Sequence, residues 1–119
     1  MRMFLLGACA FVLLFAIQAR AACCTPAPSD GTASTVAYVE NGWFGEGLAI
    51  HLSTPLAFVT QCPAPAYDFA LPASHPSYRE VAAMILLAYA SGVPVQLMVD
   101  PASCLFGGRT AIASVRLFR

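Results

Sequence analysis

The sequence predicts a β-rich α+β domain, with five short strands and one helix between the third and the fourth. Three observations carry that expectation. Residues 35–40 and 48–53 alternate apolar and polar on either side of Asn41-Gly42, the pattern of a β-hairpin. Residues 77–91 read as a helix, with ten continuous apolar residues over 81–90 between a start signal at Ser77 and a stop at Gly92. Residues 93–99 and 110–118 then return to alternation.

The first strand, 35–40 (TVAYVE), is β-branched and aromatic, with Val36 and Tyr38 expected on one face and Ala37 and Val39 on the other. Asn41-Gly42 breaks it, and Gly45 and Gly47 complete a glycine-bordered turn that carries Trp43 and Phe44. In 48–53 (LAIHLS), Leu48, Ile50 and Leu52 share the apolar face, which puts His51 on the other. Pro55 interrupts; residues 56–60 extend or resume the strand, and 67–71 (YDFAL) is the third strand or an extended edge.

Ser77 and Glu80 have the S-x-x-E spacing of a reciprocal cap, which predicts a helix beginning there. Val81, Met84, Ile85, Ala88 and Tyr89 make one apolar stripe. The residues between them are apolar too, so a helix largely covered by protein is expected, ending at Gly92. In the fourth strand Val93, Val95, Leu97 and Val99 share a face; Asp100-Pro101 turns the chain. The last strand is expected to turn Ala111, Ala113, Val115 and Leu117 inward. Strand–strand–strand–helix–strand–strand is the element order of a small OB-fold-like five-stranded barrel, in which closure removes sheet edges.

Residues 1–21 read as a secretory signal peptide: Arg2, an uncharged apolar run over 3–17, then Ala19-Arg20-Ala21. The run would span about 22 Å as a helix, short of the ~30 Å hydrocarbon core. The expected division is 1–21 leader, 22–33 a flexible, extended and loosely held N-terminal arm rich in Pro and Ala, and 34–119 a single OB-fold-like domain. The destination is periplasmic or secreted, an oxidising setting. Past the leader only Arg79, Arg109, Arg116 and Arg119 face the six acids, and the chain has no lysine. That excludes a basic footprint for nucleic acid or anionic lipid.

Four cysteines follow the leader: Cys23, Cys24, Cys62 and Cys104. They can pair in three ways. Cys62 and Cys104 flank core elements and are the expected disulfide, closing a loop of about 42 residues worth roughly 4 kcal/mol in the chain-entropy account. Cys23 and Cys24 are left free, strained against each other, or linked to another chain. Two distant histidines and no C-x-x-C give no metal site and no cofactor. No G-x-S-x-G elbow surrounds Ser53, Ser77 or Ser103, and no catalytic residue is assigned, so the chain reads as a non-enzyme. Trp43 and Phe44 are the binding candidates: rings in a turn either present themselves to a ligand or fold back over the barrel end.

Gly42, the strand 48–53, Cys62, the aromatic segment 67–71, the helix 78–90, the run Ala90-Ser91-Gly92-Val93-Pro94-Val95 and Cys104 together resemble small exported bacterial proteins akin to the B subunits of the subtilase and pertussis-like toxins. The likeness is one of pattern and covers roughly residues 35–118. It implies an OB-fold, a disulfide, no catalysis, and homo-oligomeric assembly with glycan binding; the family's sugar-binding serine has no counterpart here. The expected function is therefore an exported binding or assembly module for a glycan or an envelope protein. The alternative is an envelope structural or inhibitor protein joined to a partner through Cys23 and Cys24.

Overall fold

The structure is a computed structural model, and it describes residues 24–27, 33–56 and 58–118. The expected leader and Cys23 lie outside the described residues. The elements are β1 (Thr25–Ala27), β2 (Val36–Asn41), β3 (Gly47–Leu52), β4 (Asp68–Pro72), α1 (Tyr78–Ser91), β5 (Val95–Leu105) and β6 (Arg109–Leu117), with a single 3-10 turn at Phe106–Gly108. The strands form one mixed sheet in the order β1-β5-β6-β4-β3-β2; β4 and β6 run parallel and every other pair is antiparallel. The β-rich class, the single helix and its place in the order are as the sequence predicts.

The sheet does not close into the expected barrel. Part of the N-terminal arm occupies the edge where closure would occur: Thr25, Pro26 and Ala27 pair with Val99, Met98 and Leu97 of β5. Among the described residues, the chain leading into β2 reaches that same edge at Ser34. Ser34 N–H donates to the Val95 carbonyl at 3.1 Å, and Val95 N–H donates back at 2.8 Å. At least residues 25–27 of the arm are thus a sixth strand.

One apolar core lies between the sheet and α1. Leu48, Ile50, Leu52, Phe69, Leu71, Ile85, Val95, Leu97, Val99 and Ile112 are buried together in it. Burying such side chains stabilises the fold by about 1.5–3 kcal/mol each. Gly47, at φ 147°, starts β3 where a Cβ would collide with the Leu71 carbonyl on β4, so only glycine lets the two strands approach there.

Two bulges change the facing that strict alternation predicts. Val36 pairs with Leu52 and Tyr38 with His51, so Ala37 is an extra residue on β2. Val36 therefore enters the core while Tyr38 sits on the outer face, opposite to the shared face expected. On β6, Ile112 pairs with Val99 and Ser114 with Met98, leaving Ala113 as the extra residue. Ala111 is buried and Val115 and Leu117 pack against the core, as expected, while Ile112 is buried as well and Ala113 is only half-buried. Between Asp100 and Cys104, residues 101–103 bulge out of β5; the Ala102 N–H donates to the Asp100 side chain at 3.1 Å.

Ser77 does not make the expected side-chain cap. Its backbone (φ −110°, ψ 37°) lies outside the extended geometry that aims a capping oxygen at the first turn. His75 holds this end instead: its Nδ1 accepts the Ser77 N–H at 3.0 Å and its Nε2 donates to the Ala113 carbonyl at 2.9 Å. The helix ends at Gly92 in the left-handed region, as expected. Of its side chains only Val81, Ile85 and Ala88 are buried, so the helix is far less covered than its sequence predicts. Residues 56 and 58–60 form no strand; Leu56 is buried and Phe58 stacks on Phe69 at 5.5 Å. No helix among the described residues is long and apolar enough to cross a membrane.

Candidate functional site

Cys62 and Cys104 form the expected disulfide, with Cα atoms 5.3 Å apart. It joins the long β3–β4 connection to the bulged half of β5, and hydrogen bonds tighten the joint. Gln61 N–H donates to the Pro101 carbonyl at 3.0 Å, and Ala64 N–H to the Gly108 carbonyl at 3.0 Å. The hydroxyls of half-buried Thr60 and buried Thr110 meet at 2.8 Å. The 3-10 turn Phe106–Gly108 is thereby fixed in place. Cys24 is itself disulfide-bonded.

That turn faces the β2–β3 hairpin tip. Gly42 N–H donates to the Gly47 carbonyl at 2.8 Å and Gly45 N–H to the Gly42 carbonyl at 3.2 Å, which closes the tip. Glu46 accepts the Phe44 N–H at 2.9 Å and so holds the loop from inside. Trp43 and Phe44 do not fold back over the sheet: they are 91% and 89% exposed. Between tip and turn lies a cleft of about 210 Å³, lined by Glu40, Trp43, Phe44, Glu46, Phe106 and Arg109 among others. Arg109 pairs with Glu40 across the sheet, donates to the Phe106 carbonyl at 3.4 Å and lies 5.7 Å from the Phe106 ring centroid. The cleft thus combines two exposed aromatic rings with an oriented ion pair.

The sequence points to Trp43 and Phe44 but not to Glu40, whose partner Arg109 is distant in the chain, nor to Phe106 and Arg109 themselves. The usable signal was Phe106-Gly107-Gly108, a second glycine turn that the predicted strand order carries to the same end of the sheet.

A second polar group lies on the outer face of the sheet. His51 stacks against Tyr38 (centroids 4.6 Å apart, planes 8° apart) and meets the Tyr67 ring edge-on at 4.3 Å. Its Nδ1 donates to Asp68 at 2.7 Å. His51 faces away from Leu48, Ile50 and Leu52, as the alternation predicts. Burial, and after it the nearby carboxylates of Asp68 and Glu40, raise the Tyr38 phenol above its ordinary pKa. This group is a set of mutually satisfied side chains. Ser53, the nearest serine in sequence, is instead engaged with Thr35, hydroxyl to hydroxyl at 2.7 Å.

Among the described residues no three His, Cys, Asp or Glu side chains cluster as a metal site. No protein-family profile, curated protein sequence or solved structure matches this chain.

Proposed function

We propose that the protein is an exported recognition module that binds by contact, using the cleft between the β2–β3 tip and the Phe106–Gly108 turn. The observation that carries this reading is the exposure of Trp43 and Phe44. Folding gains nothing from two large rings held in water, whereas a ligand that covers them gains their apolar area. The ligand class favoured is a glycan. A pyranose has an apolar face for an indole and hydroxyls for Glu40, Arg109 and nearby carbonyls. Export is supported by the leader-like residues 1–21 and by a disulfide suited to an oxidising compartment.

An opened OB-type barrel is the architecture we infer. Its support is the order β5-β6-β4-β3-β2, the parallel β4–β6 pair, the helix between β4 and β5, and the Ser34–Val95 bridge where β2 approaches β5. In that architecture the first hairpin loop and the loop between the last two strands are a common place for ligands. From the toxin-subunit resemblance the proposal keeps only recognition by contact.

The test is Trp43→Ala probed on arrays of glycans and of envelope proteins. We expect glycan binding to fall at least tenfold, about 1.4 kcal/mol, with unchanged folding. Unchanged glycan binding would remove Trp43 from the site, and binding confined to proteins would reassign the ligand.

A further inference from the structure

We infer that the outer face of α1 is a self-association surface, and that its occupant is the α1 face of a second copy of this chain. A helix apolar on every side is normally covered on every side. Here the sheet covers only Val81, Ile85 and Ala88, and leaves Met84 37%, Leu86 48%, Leu87 60% and Tyr89 49% exposed. Ala83 and Ala90 are exposed between Leu86 and Leu87 and lie two turns apart, so they form a low ridge on which another helix backbone can approach closely.

Three features favour a second copy over another partner. The first is charge. From Val81 to Val99 no side chain is charged, and Arg79 and Glu80 lie at the start of the helix. A charged partner finds no complement on this face, while a copy of it meets no like charge. The second is shape. On the Leu87 side of the alanine ridge, across from the exposed Leu86 and Tyr89, lies a groove of about 400 Å³ lined by Leu87, Ser91, Val93, Leu117 and Phe118. A projection and a hollow on one surface can each serve the other across a two-fold axis, which gives a closed isologous contact. The third is area. The exposed parts of those four large side chains make a patch on the order of 400 Å², the size at which a monomer's largest patch is often functional. Paired with the alanine ridge and the groove, two such faces bury on the order of 1,000 Å², the lower limit for a specific interface. None of these residues lines the cleft at Trp43, so the inference stands apart from the proposed function.

The experiment is sedimentation equilibrium of the exported protein, its N-terminus fixed by mass spectrometry, from low to high micromolar concentration. The weight-average mass should approach twice the chain mass. Leu87→Glu and, separately, Leu86→Glu should each weaken association about tenfold or more while circular dichroism stays native, since both positions are exposed. A wild-type protein that stays monomeric throughout overturns the inference; if its leader is retained, the leader becomes the candidate cover. Association unaffected by both folded variants also overturns it, because the contact then lies elsewhere.

Discussion

Two aromatic groups on this sheet have opposite relations to their surroundings. Tyr38, His51 and Tyr67 engage one another and Asp68, so each ring has a neighbour within the chain. Trp43 and Phe44 stand in solvent on a tip whose backbone is fully tied by Gly42, Gly45, Glu46 and Gly47. The first group spends its contacts on the fold. The second is a hydrogen-bonded loop whose rings are almost wholly exposed among the described residues. Chemical type does not separate the two; the presence or absence of internal partners does.

The change with the largest expected effect strikes the joint behind both regions. Cys62→Ala with Cys104→Ala should lower unfolding free energy by about 4 kcal/mol in denaturant titrations. It should also loosen Tyr67, which lies on the stapled connection, and Phe106, which the Ala64–Gly108 hydrogen bond holds in place. A loss well under 1 kcal/mol would mean that the hydrogen bonds alone suffice.

His51→Ala distinguishes the two groups directly. It removes a ring packed between two tyrosines and leaves Asp68 without its donor, a loss of about 2 kcal/mol. Trp43→Ala should change stability by less than about 0.5 kcal/mol in the same assay, because a surface side chain without partners contributes little. Equal losses at the two positions would erase the contrast.

The smallest effect concerns pH. Tyr38 has a folded pKa raised above 10.0. The folded state therefore holds the phenolic proton more tightly than the unfolded chain does. That contribution to stability is fully present below pH 10.0 and is lost as pH rises through the folded value. Alkaline unfolding curves of Tyr38→Phe should be flatter above pH 10.0 than those of the parent. Identical curves would show that the phenol titrates as it does in the unfolded chain.

Much of the fold was legible because apolar periodicity and glycine turns are local signals. The hairpin, the helix with its Gly92 stop and the two closing strands follow from runs of a dozen residues or fewer. What was not legible is set by contacts distant in sequence. The bulges at Ala37 and Ala113 depend on the partner strand, so alternation misplaced Tyr38 and missed the burial of Ile112, while Ala111, Val115 and Leu117 face inward as read. Ser77 carried a capping signature, but His75, anchored on Ala113 across the fold, took the backbone amide. At the site, Trp43 and Phe44 stood out as rings among glycines, whereas Arg109 and Glu40 acquire meaning only once β2 and β6 are brought together.

The seam beside β5 has a practical bearing on how the protein can be handled. Its occupant comes from the first described residues, Thr25–Ala27, while Phe118 departs from the other end of the chain with its amide bonded to Pro94. A carrier fused directly ahead of Cys24 would be delivered against that seam and compete with the short strand for its place. Attached after Phe118, the same cargo leaves the seam alone but lies beside the groove next to α1, so a reporter there suits measurements of folding rather than of association.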